Sequence, residues 1–244
     1  MEFCRIHLDE VDSTNNYAAK MIQMTKHVNP SVITARYQTH GKGQRGKVWE
    51  SSANSNLMTS FIIFNNHLQI ENLYFLNKSI ANAVHSTILY FLPNQNISIK
   101  WPNDIWVNGK KIAGILIENQ WRGAITQSSI IGIGINTNEH YISSKDRCSI
   151  SDILKTVSNN DEILSKLTEY LSDHIQLVEQ EKWPCIDLYY HQHLLGSNSI
   201  VTCKERGRTF PGYIKKVDSQ GNIIVRHEDQ MSSFAHGSIE IEYQ

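Results

Sequence analysis

Seven consecutive residues, Gly41-Lys42-Gly43-Gln44-Arg45-Gly46-Lys47, hold three glycines and three cations, and Val48-Trp49 follow them. Glycines expose backbone N–H groups and let a chain approach a ligand closely, while Lys and Arg carry charge suited to phosphate or carboxylate. The spacing satisfies G-x-G-x-x-G and also the first seven positions of G-x-x-x-x-G-K-[ST]. Neither standard reading survives its context. A P-loop needs Ser or Thr after its lysine to reach magnesium, and Val48 has no oxygen. A dinucleotide loop opens a helix whose N-terminus faces the pyrophosphate; here Trp49 leads into a polar stretch and then a strand. What remains is either an anion-binding loop of another kind or a solvated basic turn between two strands.

A second cluster, "KWPNDIWVNGKKIAG" at 100–114, gathers Lys100, Asn103, Asp104, Lys110 and Lys111 beside Trp101 and Trp106. Alone it reads as turn chemistry at Pro102-Asn103-Asp104 followed by an ordinary hairpin cation at Lys111. Cys4, Cys148, Cys185 and Cys203 form no Cys-x-x-Cys pair, which fits free thiols in a reducing compartment. His191-x-His193 lacks a third ligand at metal spacing, so satisfied or solvent-facing histidines are expected. A net charge of −1 argues against a basic duplex-binding face. The first residues carry charge where a signal peptide needs an apolar core, and no run of about eighteen apolar residues occurs. A cytoplasmic protein with no membrane partner is expected.

The chemistry-bearing segments sit between recognisable elements. Asp12, Ser13 and Thr14 are N-cap residues before a helical stripe of Tyr17, Ala18, Met21 and Ile22. "SVITARYQ" is β-rich and runs into the glycine loop; "SNLMTSFIIF" beyond it is again strand-like. From Asn72, an apolar face at Leu73, Leu76, Ile80, Val84, Ile88 and Phe91 predicts a helix that Pro93 ends. Asn108-Gly109 predicts a type I′ hairpin, Trp121-Arg122-Gly123 a second reversal, and "SSIIGIGINT" the strand that returns. "DEILSKLTEYLSDHIQLVEQ" is an amphipathic helix, and Pro184 suits the first turn of the next. From about 196 onward, short β runs punctuated by Gly207, Gly212 and Gly221 predict a small all-β module. The expected division is 1–195 and 196–244, and 244 residues at 40% hydrophobic content can bury such a core.

"DSTN" at 12–15, "YQTHGKGQRGKVW" at 37–49, "KWPNDIWVNGKKIAGIL" at 100–116 and "IGIGIN" at 131–136 occur together and in that order. This set resembles the biotin protein ligases, also called biotin–[acetyl-CoA-carboxylase] ligases, over most of the chain. The resemblance implies an α+β fold, a mixed β-sheet with flanking helices of the class II synthetase-like type, plus a small C-terminal SH3-like barrel. It implies an enzyme that joins biotin to ATP as biotinyl-5′-AMP, with Mg2+, and transfers biotin to one lysine of a biotin carboxyl carrier domain. By the same resemblance, Ser13, Thr14 and Gln38 are partners of the ureido ring. Gly41, Lys42 and Gly43 belong to a loop over biotin, continued by Gln44, Arg45, Gly46 and Lys47 over the adenylate. Trp49 and Asn136 lie beside the nucleotide, Asn103 and Asp104 near the triphosphate and its magnesium. Lys111 contacts both the biotin carboxylate and the α-phosphate, and Gly114, Leu116 and Gly132 wall the pocket. Lys111, Arg45 and Asp104 are the catalytic candidates; Asp104 serves as base, metal ligand or orienting group.

Two departures from the family pattern stand out. Lys42 and Gln44 occupy positions often written with arginine, so a bidentate fork is lost at one and a charge at the other. Only eleven residues precede Asp12, too few for the winged helix-turn-helix of bifunctional members, and no DNA partner is expected. A lipoate or octanoate ligase or transferase of the same fold, and a non-catalytic biotin-binding regulator, remain as alternative readings. Monomer and homodimer through a sheet edge both stay open.

Overall fold

In the computed structural model, which describes residues 1–24, 29–64, 68–123, 125–141 and 144–243, the β-rich runs assemble into two sheets. The first contains β1 (Cys4–Val11), β2 (Ser31–Gln38), β3 (Leu57–Ile63), β4 (Ile97–Lys100), β5 (Asp104–Val107), β6 (Lys110–Arg122) and β7 (Ile125–Ile135). Their order is β1-β2-β3-β7-β6-β5-β4; β1 and β2 are parallel and every other pair is antiparallel. Alternation along a strand sends neighbours to opposite faces. Val32 therefore joins the larger apolar cluster and Ile33 a smaller one under α1 (Thr14–Met24), around Ala18, Ile62 and Ile130.

The opposite face carries α2 (Leu73–Phe91). After the short α3 (Ile150–Leu154), closed by a capping box between Ser149 and Asp152, come α4 (Asn160–Glu179) and α5 (Trp183–Gln192). These two pack on α2 from outside, so α2 is buried on several sides and not along one stripe. Its composition fits that position, because Lys78 is the one Lys, Arg, Asp or Glu in its nineteen residues. Lys78 itself is buried, with Nζ 2.6 Å from Asp187 Oδ1 and donating to the Val217 carbonyl at 2.7 Å. Burial pushes its pKa down against the opposing pull of Asp187. Among the described residues, no helix is long and apolar enough to cross a membrane.

The second sheet contains β8 (Ile200–Glu205), β9 (Arg208–Val217), β10 (Ile223–His227), β11 (Gln230–Phe234) and β12 (Glu240–Glu242). All of its pairs are antiparallel, in the order β11-β10-β9-β8-β12, in keeping with the expected SH3-like module. The module is joined to the first sheet by a continuous apolar cluster, by Lys78 on Val217, and by Trp101 Nε1 donating to the Gly221 carbonyl at 2.9 Å. His191 adds to the seam: its Nε2 accepts the Val217 N–H at 2.9 Å, so its Nδ1 carries the proton toward the Asp187 carbonyl. His193 Nδ1 meets the Tyr189 carbonyl, and all four cysteines are free. The Asn108-Gly109 turn forms as expected, with both residues at positive φ (50° and 77°).

Candidate functional site

Two rows of residues cross the sheet on one face and make a floor. Ser60, Gly132 and Leu116 stand side by side on β3, β7 and β6; two residues along, Met58, Gly134, Gly114 and Asp104 make the parallel row. Small side chains at three of these positions leave a trough, and the surrounding loops deepen it into a cavity of about 450 Å3. Of the site residues that the family resemblance implies, all line this cavity except Gly41 and Gly46.

One end is polar and uncharged. The parallel pairing that sets Val11 beside Gln38 brings the first turn of α1 against the end of β2. Gln38 Oε1 accepts the Thr14 N–H at 2.7 Å and lies 3.1 Å from Thr14 Oγ1. Ser60 Oγ lies 2.7 Å from Thr14 Oγ1 and 2.6 Å from Asn15 Oδ1, and Asn15 Nδ2 donates to Glu118 Oε2 at 2.7 Å. Ser13, Thr14, Asn15 and Ser60 are all buried. Asp12 faces outward and holds the turn through Ser13 N–H and Asn16; the Asn16 hydrogen bond lowers its pKa.

The other end is charged. Lys111 Nζ lies 2.7 Å from Asp104 Oδ1, both only partly exposed. The Lys111 backbone is pinned on both sides, its N–H to the Asp146 carbonyl and its carbonyl to the Cys148 N–H. Asn136 Nδ2 reinforces this by donating to the Cys148 and Lys111 carbonyls at 3.1 and 3.4 Å. Asn136 thus steadies the backbone behind Lys111 as well as lining the cavity. Asn103 Nδ2 bonds the Ile115 carbonyl at 2.6 Å. Lys100, with Nζ 3.8 Å from the Trp106 ring centroid, is a further cation on the wall, its pKa lowered by burial despite Asp104.

The glycine loop closes the top as a self-bonded hairpin. Trp49 N–H donates to the Gly41 carbonyl at 2.9 Å, Gly43 N–H to Lys47 at 2.7 Å, and Lys47 N–H to Gln44 at 3.1 Å. A Cβ on Gly41 would collide with the Trp49 carbonyl, which explains glycine there. At the tip Arg45 adopts a left-handed backbone (φ 54°), and its guanidinium donates to the His236 carbonyl of the C-terminal module. Burial, then Arg45 and Lys47, push the His236 pKa down. Lys42 Nζ stands 3.7 Å from Glu118 Oε1. The Trp49 indole lies on Gly134 and Gly114, with Lys111 Nζ 5.6 Å from its ring centroid. Gly114 therefore makes room for Trp49 as well as walling the cavity. The buried Trp49 Nε1 and Gln44 Oε1 have no protein partner.

Sequence reasoning missed Asn15, Ser60, Glu118, Gly134 and His236. The fourth residue of "DSTN" and the second glycine of "IGIGIN" lay inside quoted motifs, and strand alternation would have aligned Ser60 with Gly132. Nothing local marks His236, which arrives from another sheet.

A family model for the biotin/lipoate A/B protein ligase family matches residues 8–136. The bifunctional ligase/repressor BirA of Bacillus spizizenii is 26% identical over 245 residues, covering 97% of this chain and 73% of that protein. The biotin–[acetyl-CoA-carboxylase] ligase of Paracoccus denitrificans is 33% identical over 132 residues, about half of each chain. The fold superposes on a biotin protein ligase from Aquifex aeolicus, solved with biotin and ATP, at a TM-score of 0.80 and 22% identity over 99% of both chains.

Proposed function

Since the chain belongs to the biotin/lipoate A/B protein ligase family, we propose that it is an ATP-dependent biotin protein ligase. The observation that carries this reading is the polarity of the cavity: a neutral hydrogen-bonding end at Thr14 and Gln38, a floor of small residues, and a cationic end at Lys111 under the glycine loop. A ureido ring has donors and acceptors to meet the first, and its tail can lie over Gly132 beside Leu116. That delivers a carboxylate to Lys111.

In the first half-reaction a biotin carboxylate oxygen attacks the α-phosphorus of ATP, the bond to the departing pyrophosphate breaks, and biotinyl-5′-AMP forms. Two anions must meet, so catalysis depends on cations that screen them and stabilise charge in the transition state. Lys111 is fixed for this by its pinned backbone and by Asp104. Lys42, Arg45 and Lys47 supply charge from the loop, and the orphaned Trp49 Nε1 offers a donor to the nucleotide. The side chains suit a magnesium ion that arrives with the nucleotide. No group of three His, Cys, Asp or Glu side chains placed to hold a metal ion occurs among the described residues, and such an ion is held largely by phosphates and water with one or two carboxylates. Asp104 is the carboxylate to hold it, with Asn103 beside it, and the ion would supply further neutralisation of phosphate charge. In the second half-reaction the amine of a carrier-domain lysine loses a proton, attacks the acyl carbon, and AMP departs. We assign residues 1–195 to this chemistry and 196–244 to a module that closes on it through Arg45 and His236. The four free thiols fit a cytoplasmic setting.

The test is one incubation with ATP and either labelled biotin or labelled lipoate, with and without a biotin carboxyl carrier domain. Pyrophosphate release that needs biotin, followed by label on the carrier lysine, is expected. Transfer of lipoate in preference to biotin, or tight biotin binding without pyrophosphate release, would replace this reading with another.

A further inference from the structure

Resting on the ligase reading of the cavity, we propose that Arg147 is a substrate-binding residue that pairs with the phosphate joining biotin to AMP in the adenylate. No motif in the sequence marks Arg147, which lies on the segment leading from β7 into α3. The Lys111 N–H donates to the Asp146 carbonyl and the Cys148 N–H to the Lys111 carbonyl, so Arg147 stands beside Lys111 in a short parallel bridge. Residues paired across such a bridge send their side chains to the same face. Both line the cavity, on backbones about 4.8 Å apart. Asn136 Nδ2 braces the bridge through the Cys148 and Lys111 carbonyls.

Cations set side by side on neighbouring strands repel, and an anion relieves them. Lys111 has Asp104 at 2.7 Å. Arg147 has no such group. Among the described residues it makes no ion pair and no side-chain hydrogen bond, and its chain neighbour Asp146 accepts from Ser144 Oγ at 2.8 Å instead. Other cations on the wall are held: Lys42 by Glu118, Arg45 by the His236 carbonyl, Lys100 over the Trp106 ring. Lys47 is also without a side-chain partner, but it rides on the glycine loop, whereas the Arg147 backbone is tied to β6. An incoming anion therefore gains the whole of the Arg147 contact, with no protein carboxylate to displace.

Position selects the anion. On one side of Lys111 runs β5, which carries Asp104, the residue assigned to magnesium and the pyrophosphate end. Arg147 flanks Lys111 from the opposite side, where β7 has ended and Asn136 follows. A phosphate bound at Lys111 carries pyrophosphate on one branch and the nucleoside on the other. With pyrophosphate toward Asp104, the nucleoside runs toward Arg147, and the α-phosphate is the anionic group within its reach. A guanidinium takes two oxygens of one phosphate through its planar fork. Pyrophosphate departs, but the α-phosphate stays in biotinyl-5′-AMP. Arg147 is thus placed to hold the adenylate and not the leaving group.

The test compares two stable analogues of biotinyl-5′-AMP, one with a phosphodiester linker and one with a neutral triazole in its place. Their binding is measured to the full chain and to Arg147→Met and Arg147→Lys. Arg147 is exposed and without a side-chain partner, so both variants should fold. Arg147→Met should bind the phosphodiester about tenfold more weakly, the lower end for a charged hydrogen bond because the group is open to water. Arg147→Lys, which keeps the charge and loses the fork, should recover part of that loss. The neutral analogue should bind all three proteins alike. An unchanged affinity for the phosphodiester in Arg147→Met, or an equal weakening of both analogues, would overturn the proposal. Wild-type protein that bound neither analogue would overturn the biotin reading of the cavity as well, and so marks that failure separately.

Discussion

Replacing Gly134 with alanine should unseat Trp49 and weaken ATP use while leaving biotin recognition nearly intact. The added methyl would fall within 3.0 Å of the Cδ2, Cε2 and Cζ2 atoms of the indole. Gly134 lies in β7, hydrogen-bonded between β3 and β6, so the backbone has little room to yield and the ring must leave. Overpacking of this kind costs about 1–3 kcal/mol, equivalent to about 5- to 150-fold in the seated population. If nucleotide binding requires the seated ring, the KM for ATP rises by that factor. Biotin affinity should change little, because Thr14 and Gln38 lie at the other end of the cavity. Gly114→Ala is a less clean probe, since its methyl would also press Lys111 Nζ at 3.2 Å. The assay is pyrophosphate release against ATP concentration, with calorimetric biotin binding, for Gly134→Ala, Trp49→Ala and the double variant. Contacting residues couple, so the alanine at 134 should cost nothing further once the indole is gone. An equal cost with and without the Trp49 ring would refute the clash, and a matching fall in biotin affinity would refute the separation of the two ends.

Lys111→Ala should lower biotin-dependent pyrophosphate release by about 10²–10³-fold, the usual scale for removing one transition-state donor, with an unchanged melting temperature; near-normal release would remove Lys111 from the chemistry. Gln44→Arg should slow dissociation of biotinyl-5′-AMP about fivefold, the difference between a charged and a neutral hydrogen bond, as read by chase of labelled adenylate at low salt. His85, buried beside the partly buried Tyr189, His193 and His174, has its pKa lowered to about 4, first by burial and then by His193. Its folded pKa is below the unfolded value, so the contribution is fully present above about pH 6.5 and is lost as pH falls toward 4, by up to about 3 kcal/mol. Urea denaturation across that window should show a slope that His85→Leu flattens.

Much of this molecule was legible because the signals were local. Asn108-Gly109 fixed the β5–β6 turn, the α2 periodicity located that helix, and four short motifs placed most of the cavity wall. The rest depended on what lies across the sheet. Lys78 offered no local sign of burial; its partners Asp187 and Val217 come from α5 and β9. Gly114 and Gly134 are twenty residues apart, and only the β6–β7 register makes them one socket for an indole. Glu118 looked like a strand carboxylate until Asn15 and Lys42 met it from two other elements.

Several of the cations that recognise the substrate already have partners, and this shapes what the site can discriminate. Lys42 faces Glu118, Lys111 faces Asp104, and Arg45 donates to the His236 carbonyl. An arriving carboxylate or phosphate shares or displaces these groups, so binding gains only the difference between the new contacts and the old. At Lys42 the old contact is weak: its side chain and that of Glu118 are 43% and 42% exposed, and such pairs contribute about 0.2–1 kcal/mol. At Lys111 the carboxylate is closer and less exposed, so an isolated anion has more to overcome. A small anion alone therefore has little advantage over the protein's own carboxylates. A ligand whose other end is held at Thr14 and Gln38 presents its carboxylate to Lys111 at high effective concentration, and the same contacts then become favourable. Specificity on this account comes from the neutral end of the cavity and reactivity from the charged end.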